Sequence, residues 1–360
     1  MRILHLALRN YRNYGRLDLD FGPGMNLFIG DNGQGKTNLL ESVAILALST
    51  SPRVRRESEL IGPLGGECRI EAEIESGGRR REIKVSVRSA GEGSRRAIEV
   101  DGVSKRALDL PGILRVTLFW PDDLSLIKSG PDHRRRLLNQ MLVQIVPGYA
   151  RHLARYARAL DQRNRLLRQV GRGEQRPQAL DAWDAQLAEL GDLITAARVP
   201  AVQRLNLIAQ THHRQICGDE LSIAYQGSTS PLLELLQMTR VDDVRRGATG
   251  VGPHRDDLVI LIGGRPGRSH ASQGQQRTAA VSMKLAEADL VTESSQENPV
   301  LLLDDVLSEL DGERRRALLE RLGPGGQTVI TAVEADAFEG RLNSQSSISR
   351  VVAGTVIRGG

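Results

Sequence analysis

The stretch that decides the fold is GDNGQGKT, Gly30 to Thr37, which directly follows the apolar run MNLFI. A glycine, four residues and then Gly-Lys-Thr is the spacing of a phosphate-binding loop between a strand and a helix. In such a loop the backbone N–H groups and the positive end of the helix face the phosphates. Lys36 would reach the β- and γ-phosphates, and the Thr37 hydroxyl would bind Mg²⁺. The predicted nucleotide-binding residues are Gly30, Asp31, Asn32, Gly33, Gln34, Gly35, Lys36 and Thr37.

The motif alone leaves three uses of the nucleotide open: phosphoryl transfer, transport, or the opening and closing of a clamp. The overall charge of the chain bears on this choice. Its net charge is +5 and its pI is near 9.5, which favours an acidic partner such as nucleic acid. Arginine is also the default cation, with 44 arginines against 5 lysines, so arginine runs are equally consistent with solvated faces. Lysine at position 36 therefore indicates a need for a compact ammonium between phosphates.

Composition and apolar patterning indicate a soluble globular protein. Hydrophobic residues make up 40% of the chain, and no apolar run approaches the ~18–20 residues that a membrane span needs. We therefore expect no membrane partner, no signal peptide and a cytoplasmic location. Cys68 and Cys217 fit no metal or redox spacing and are read as reduced thiols.

Hydrophobic periodicity predicts a head interrupted by helices. Strands are predicted at 2–8, 16–21, 25–30, 68–75, 82–88, 97–100, 220–226 and 257–262, as a mixed sheet with hairpins in the first half. Helices are predicted at 36–48, across 130–216 with a break at Pro147, at 274–291 and at 313–322. The predicted domains are 1–110, the head with the phosphate loop; 111–245, a mostly helical insert; and 246–360, the second part of the head.

The apolar strand VLLLDD places two carboxylates at the edge of a sheet, Asp304 and Asp305. Beside a phosphate loop, Asp304 would hold Mg²⁺, and Asp305 would orient or deprotonate the attacking water. The predicted metal residues are therefore Thr37 and Asp304, and the predicted catalytic residues are Lys36 and Asp305.

A third motif, ASQGQQRT from Ala271, begins a helix whose amino end suits another anion. A phosphate loop, a distant Ser-x-Gly-Gln helix and then a carboxylate strand resemble the order in ABC-type ATPases. The resemblance implies that Ser272, Gly274 and Gln275 cover the γ-phosphate held by a second subunit. It also makes SELD, with Ser308 and Asp311, the loop that crosses the interface between two subunits. Two ATP molecules would then lie between the subunits of a homodimer.

Six blocks, in order along nearly the whole chain, resemble the RecF family of bacterial recombination mediators. They are LRNYRNYGRLDLDF, GDNGQGKTNLLES, WPDDLSLIKSGPDHRRRLLN, TGVGPHRDDL, ASQGQQRT and LLLDDVLSELDGERR. The resemblance implies an α/β fold, an ABC/SMC-type ATPase head of mixed sheet and helices with an inserted helical lobe. The 268 positions from Lys36 to Asp304 are too few for a long coiled coil.

The resemblance also implies ATP-dependent dimerisation on DNA, replication-gap repair, recombinase loading with RecO and RecR, and SOS induction. Asp305 stands where related heads usually carry Glu, and Thr331 stands where many carry a switch His. Both fit the hypothesis of a weak, DNA-stimulated ATPase that acts as a timer.

Candidate DNA contacts are arginines near the predicted phosphate site and on the predicted helices. With aromatic residues at 3%, few stacking platforms are expected, and backbone contacts to single-stranded, duplex or gapped DNA are favoured. Arg12 is also a candidate for contact with the nucleotide. The DNA candidates are Arg53, Arg55, Arg56, Arg134, Arg135 and Arg136, with Arg9, Arg12, Arg151, Arg155 and Arg158 as further possibilities.

Two segments are left with open interpretations. In PHRDD, Pro253 to Asp257, His254 and Arg255 would either contact phosphate or DNA or brace the Ser-x-Gly-Gln helix through the two aspartates. His212, His213 and Cys217 lack an evident fourth metal ligand, and we expect them to be solvent-facing helix residues.

Three rivals stay open at this stage. An ABC transporter's ATP-binding subunit is the main alternative, and it would need a docking surface for a membrane partner. A small-molecule P-loop kinase would work as a monomer and phosphorylate an acceptor. An ATP-gated scaffold would hydrolyse ATP only incidentally.

Overall fold

The structure is a computed structural model that describes residues 1–51, 53–54, 56–91, 93–228, 230–322, 325–335, 338 and 345–358. The strands are β1 (Arg2–Tyr11), β2 (Tyr14–Asp20), β3 (Met25–Ile29), β4 (Glu67–Ser76), β5 (Arg79–Ala90), β6 (Gly93–Val100), β7 (Val103–Ser104), β8 (Val116–Phe119), β9 (Leu221–Gln226), β10 (Asp257–Ile262), β11 (Arg265–Pro266), β12 (Val300–Asp304), β13 (Thr328–Ala332), β14 (Ser347–Val352) and β15 (Thr355–Arg358). The helices are α1 (Lys36–Leu48), α2 (Pro131–Ile145), α3 (Tyr149–Gly171), α4 (Asp181–Cys217), α5 (Leu232–Arg246), α6 (Gly267–His270), α7 (Gln273–Ser295) and α8 (Gly312–Arg321).

The sheet that positions the phosphate loop has the order β15-β14-β3-β13-β12-β8. Its neighbours are parallel except for β14 and β15, which form an antiparallel hairpin. The strands β3, β13 and β12 are almost completely buried, as expected where both faces of a sheet are covered. The carboxyl ends of β3 and β12 therefore meet at one edge, which brings GDNGQGKT and Asp304 together.

A second sheet, with the order β2-β1-β4-β5-β6-β7, is antiparallel throughout. The buried residues of β1, β4 and β5 and those of α1 belong to one core, which also includes β8 and β12. Helix α1 is thus buried between the two sheets, and every residue from Leu39 to Leu48 is buried. The first half of the chain was expected to form one mixed sheet; instead it contributes to two, because β3 and β8 join the parallel sheet.

The inserted lobe is built from α2 to α5 with a small sheet of order β11-β10-β9. The predicted break at Pro147 is confirmed, since α2 ends at Ile145 and α3 begins at Tyr149. The lobe's core also includes Ala279, Ala280 and Met283 of α7, whereas Val281 and Leu285 of the same helix pack in the head. Helix α7 therefore joins the two parts.

The predicted domain boundaries need two corrections. Residues 116–119, assigned to the insert, form strand β8 of the head, because they pair in parallel with β12. Residues 257–266, assigned to the head, form β10 and β11, which pair with β9 against the lobe core. The strands β14 and β15 were not predicted, since SISRVV and TVIR mix polar and apolar residues.

Within the described residues, every helix is too short or too polar to cross a membrane.

A buried ion network ties the lobe helices together. Arg163 of α3 is fully buried and donates to Asp184 of α4 at 2.6 Å and to Asp243 of α5 at 2.8 Å. The Thr249 hydroxyl accepts a further hydrogen bond from Arg163 at 2.8 Å. Buried charges of this kind need all of their partners, since an unpaired one cannot recover its hydration.

We expect Arg163→Met to lower the free energy of unfolding by about 3 kcal/mol, because Asp243 would keep its charge without its arginine. Urea unfolding followed by circular dichroism measures this. The matched control is Arg165→Met on the same helix, where an exposed pair with Asp161 is lost and about 0.5 kcal/mol or less is expected. Equal effects of the two substitutions would contradict the assignment.

Candidate nucleotide-binding site

The phosphate loop leaves β3 and enters α1 through two glycines in conformations that other residues rarely adopt. Gly30 has φ +155°, and a side chain there would run into the Val351 carbonyl of β14. Gly35, at the amino end of α1, has φ +115°, and a Cβ there would lie 2.6 Å from Asn13. Both positions therefore require glycine, which explains the spacing of the motif.

The ammonium of Lys36 lies at the centre of the loop. Its Nζ donates to the Gly30 carbonyl and, at 2.9 Å, to the Asp31 carbonyl. Burial lowers the pKa of Lys36, and the nearby carboxylates Asp305, Asp304 and Asp31 act in the opposite direction. The Lys36 side chain thus lies inside the loop, at the point where the motif predicts the β- and γ-phosphates.

Asp304, the last residue of β12, accepts hydrogen bonds from two hydroxyl groups. The Thr37 hydroxyl donates to Asp304 Oδ1 at 3.0 Å, and the Thr331 hydroxyl of β13 donates to the same oxygen at 2.8 Å. Burial raises the pKa of Asp304, while the two hydroxyl donors lower it. A hydroxyl and a carboxylate oxygen at this spacing are the ligand types that Mg²⁺ prefers, so the residues fit the predicted metal.

Asp305 has a left-handed backbone, with φ 51° and ψ 22°. Its N–H donates to the Thr331 hydroxyl at 3.1 Å, and its carbonyl accepts from the Ser308 hydroxyl at 2.6 Å. A non-glycine residue in this region costs free energy and is most often kept where function needs it. Thr331, noted in the sequence only for replacing a histidine, holds both aspartates in place.

Contacts that sequence reasoning missed brace the loop from outside. Asn13 Nδ2 donates to the Gln34 carbonyl at 2.9 Å, and the buried Tyr14 hydroxyl donates to the Gly35 carbonyl at 3.0 Å. In the turn between β14 and β15, the Gly354 N–H donates to the Gln34 carbonyl at 2.9 Å. The polar segment NYRNYG, at the turn between β1 and β2, was the available signal for the first two.

Arg12, predicted beside the nucleotide, pairs with the fully buried Glu41 of α1 at 2.8 Å. Glu41 also accepts from the Tyr11 hydroxyl and from Ser51 and Arg53. Arg12 therefore anchors the turn before β2 to α1, and its contact with a nucleotide stays a prediction.

The Ser-x-Gly-Gln segment begins α7 as an N-terminal cap. The Ser272 hydroxyl accepts from the Gln275 N–H, and the Gln275 side chain accepts from the Ser272 N–H. Gly274 lies against Arg314, and Asp311 caps α8. Among the described residues, no hydrogen bond or ion pair joins 272–275 to 30–37. Within one chain, the described Ser-x-Gly-Gln segment is therefore not hydrogen-bonded to the phosphate loop.

The six arginines proposed for DNA have different surroundings. The prediction that Arg134 contacts DNA is wrong. Its guanidinium is buried, pairs with Asp257 at 2.6 and 2.8 Å and donates to two carbonyls, so Arg134 is a structural residue. Arg55 lies outside the described residues. Arg56 is exposed, and the remaining three line one cavity: Arg53, Arg135 and Arg136.

The segment Pro253 to Asp257 braces the lobe. The Pro253 carbonyl accepts from Arg198 at 2.7 Å, and His254 Nδ1 is hydrogen-bonded to the Tyr156 hydroxyl at 2.7 Å. Burial lowers the pKa of His254 to about 4, so this ring is neutral at physiological pH. Asp256 is bonded to Tyr225, and Asp257 pairs with Arg134. The two aspartates thus brace β9 and α2 of the lobe, and among the described residues no hydrogen bond or ion pair joins either of them to α7, so the expected direct bracing of the Ser-x-Gly-Gln helix is not observed.

The expectation that His212 and His213 face solvent is wrong. Both are buried because α7 covers this part of α4: His212 pairs with Asp289, and His213 is hydrogen-bonded to Ser282. Cys217 is exposed. In the part of the chain that the structure describes, no three His, Cys, Asp or Glu residues are grouped as they would be for a metal ion.

Comparison with known proteins places these features in one family. The family model described as RecF/RecN/SMC N terminal domain matches residues 2–356. The DNA replication and repair protein RecF of Lachnoclostridium phytofermentans is 37% identical over 364 residues, covering 100% of both chains. The protein of the same name from Chloroflexus aurantiacus is 39% identical over 392 residues, again covering 100% of both chains.

Solved structures of RecF proteins have a similar fold over nearly the whole chain. The recombination mediator protein RecF-ATPrS in the RecFOR pathway superposes with a TM-score of 0.91 at 30% identity, covering 99% of this chain and 98% of that one. The structure described as RecF-ATP gives 0.90 at 30% identity, covering 99% and 97%. An SmcHead bound to the C-winged helix domain of ScpA, with a TM-score of 0.58 at 13% identity over 100% and 97%, shares the fold.

Asp304→Asn should raise the melting temperature of the chain without metal or nucleotide by about 2 °C at pH 7.5. The raised pKa means that the folded state binds this proton more tightly than the unfolded state does. The carboxyl therefore favours folding at low pH, and this contribution is lost as the pH rises through the folded pKa. Thermal unfolding in EDTA at several pH values measures the difference, which should shrink toward pH ~4. Asp305→Asn is the control, and a less stable Asp304→Asn chain at pH 7.5 would contradict the prediction.

Proposed function

The chain belongs to the RecF/RecN/SMC family, and within it to the RecF proteins, and from this we propose that it is an ATP-dependent DNA-binding protein of replication and recombinational repair. The observation that carries the proposal is the contact between Thr37 of the phosphate loop and Asp304 of the apolar strand. Relatives with bound ATP and a comparable fold over nearly the whole chain support it.

The site residues act on ATP in distinct ways. The loop N–H groups and Lys36 bind the phosphates, and Thr37 with Asp304 would hold Mg²⁺, which when bound neutralises charge developing on the phosphates. Asp305, held by Thr331, orients the attacking water and accepts its proton. A shorter aspartate in place of glutamate, with no histidine at position 331, supports slow, DNA-stimulated hydrolysis that acts as a timer.

The site is completed by a second copy of the chain. Ser272, Gly274 and Gln275 lie at the capped amino end of α7, where backbone N–H groups and the helix dipole favour an anion. No described contact links them to their own phosphate loop, which supports their action on the ATP of a partner. Ser308 and Asp311 would lie at that interface. ATP binding would thus close a homodimer on DNA, and hydrolysis would reopen it.

The wider role follows from the family. Relatives named for DNA replication and repair, and a RecF structure described within the RecFOR pathway, support partnership with RecO and RecR. We further propose recombinase loading, action at replication gaps and SOS induction, which the family resemblance of the sequence motifs implies. Such a role on DNA would place the protein in the cytoplasm. Arg53, Arg56, Arg135 and Arg136 are the proposed DNA contacts, and no observation favours a transporter subunit.

Lys36→Arg should leave the fold unchanged and lower DNA-stimulated ATP turnover at least about tenfold, because a planar guanidinium does not fit among the loop carbonyls and the phosphates. Phosphate release with and without DNA measures this, with circular dichroism to check folding. The exposed Lys105→Arg is the matched control. Full turnover by Lys36→Arg would contradict the assignment.

A mixing experiment tests the shared site. Lys36→Arg and Ser272→Arg should each release little phosphate from ATP when tested alone. An equimolar mixture should recover about one quarter of the wild-type activity, because half of random pairs are mixed and each has one intact site of two. Wild-type turnover by Ser272→Arg alone would show that one chain suffices.

A further inference from the structure

A cavity of about 840 Å³ lies between the head and the inserted lobe, beside α1, and its lining residue Arg53 reaches back to Asn38 in the first turn of that helix. We call it the head–lobe cavity. Thr50 to Val54, just after α1, contribute the head side, and α2, α3, α4 and the Pro253–His254 loop contribute the lobe side. Its size falls within the range of ~300–1,000 Å³ that is typical of small-ligand sites.

Part of this cavity is strongly cationic. Arg53 is 43% exposed, and Arg136 is exposed and makes no ion pair among the described residues. Arg135 is paired with Asp132, which is the acidic residue in the lining that the structure describes. The lining also includes the buried Arg198, and Arg53 is paired with Glu41 of α1, which lies outside the lining. Four guanidinium groups against the two carboxylates of Asp132 and Glu41 leave the cavity with a net positive charge, which is complementary to phosphate.

Another part is apolar. Leu153, Leu160 and Ile194 line it together with Tyr156, whose hydroxyl is already hydrogen-bonded to His254. An ion such as free phosphate would gain nothing from this surface. A ligand that carries a flat apolar group as well as a phosphate would use both parts of the cavity.

Amide side chains lie between the cationic and apolar parts. Gln140 lines the cavity, and its side chain makes no hydrogen bond within the described part of the chain. Its neighbour Asn139 uses Oδ1 to accept from Tyr149 and Arg198, while its Nδ2 makes no hydrogen bond to the described residues. Such amides pair with the edges of nucleic-acid bases, which carry both donors and acceptors.

We propose that the head–lobe cavity binds one unstacked nucleotide of a single-stranded DNA segment. The phosphate lies at Arg53 and Arg136, the face of the base lies on Leu153 and Leu160, and Gln140 contacts its edge. In a duplex the base faces are stacked and their pairing edges are used, so a duplex has no such group to insert. The inference rests on the proposed DNA binding and assigns its preference, single-stranded or gapped DNA over continuous duplex.

The experiment fills the cavity without removing a charge. Ala157 is exposed on α3 and lines the cavity, so Ala157→Trp would occupy the place of the base. The matched control is Ala185→Trp, at an exposed position on α4 outside the cavity. Fluorescence anisotropy with oligo(dT), a gapped duplex and a continuous duplex, at two salt concentrations and with ATP, gives the affinities.

We expect the wild-type chain and Ala185→Trp to bind the gapped duplex more tightly than the continuous one. Ala157→Trp should lose this preference and bind oligo(dT) about tenfold more weakly, the effect of losing one base contact. Arg136→Gln, which keeps the cavity open, should weaken oligo(dT) binding and reduce its salt dependence. Unchanged oligo(dT) binding by both variants would overturn the inference.

Two further outcomes separate the possible failures. If the wild-type chain binds continuous duplex and shows no preference for gapped DNA, the cavity proposal is wrong and the proposed DNA binding stands. If it binds no DNA of any form, the proposed function itself fails. Titration with dTMP distinguishes a free nucleotide from a strand, and dTMP binding as tight as that of oligo(dT) would overturn the assignment to DNA.

Discussion

The head depends on one contact, the hydrogen bond between the Thr37 hydroxyl and Asp304, which joins residues 267 positions apart. Strand β13 lies between β3 and β12, so the two strand ends are about 10 Å apart at the usual spacing of a sheet. The first turn of α1 crosses this gap, and Thr331 on the intervening strand donates to the same carboxylate. The contact forms only if three parallel strands keep their register, and burial of their apolar residues on both faces of the sheet holds the strands in that arrangement.

Helix α7 connects the inserted lobe to the head that carries this site. Its residues alternate between the lobe core and the head core, and its amino end carries Ser272. On the lobe side, β10 starts at Asp257, which Arg134 holds from α2, and leads through β11 and α6 into α7. Because each connection is short and packed, the position of the Ser272 cap depends on the lobe as much as on the head. The contacts that Pro253 to Asp257 make within the lobe therefore bear on the position of the Ser272 cap.

The motifs could be identified from the sequence because each combines a residue type that the local backbone requires with a residue type that the chemistry requires. Gly30, Lys36 and Asp304 could be assigned without the fold, whereas the run at Arg134 to Arg136 could not. Successive helix residues point about 100° apart, so three adjacent arginines meet three environments: Arg134 is buried, Arg135 is paired and Arg136 is exposed. Which of them faces the core depends on packing between distant elements.

Other errors have the same physical origin. Strand β8 has only four residues, too few for periodicity to show, and its place is set by pairing with β12. His212 and His213 look like surface residues until α7 covers them. In each case the partner that decides the position is distant in sequence, so the local sequence pattern does not identify it.

Helix α1 connects the nucleotide site to the head–lobe cavity. It begins at Lys36, and the residues just beyond its end, from Thr50 to Val54, line the cavity. The helix is buried between two sheets over nearly its whole length, so it cannot bend or shift without disturbing a large apolar core. Arg53 turns back from the cavity to Asn38 and Glu41 near the start of the same helix. A ligand that draws Arg53 toward the cavity would therefore break its direct contacts with Asn38 and Glu41, in the part of α1 that follows Thr37.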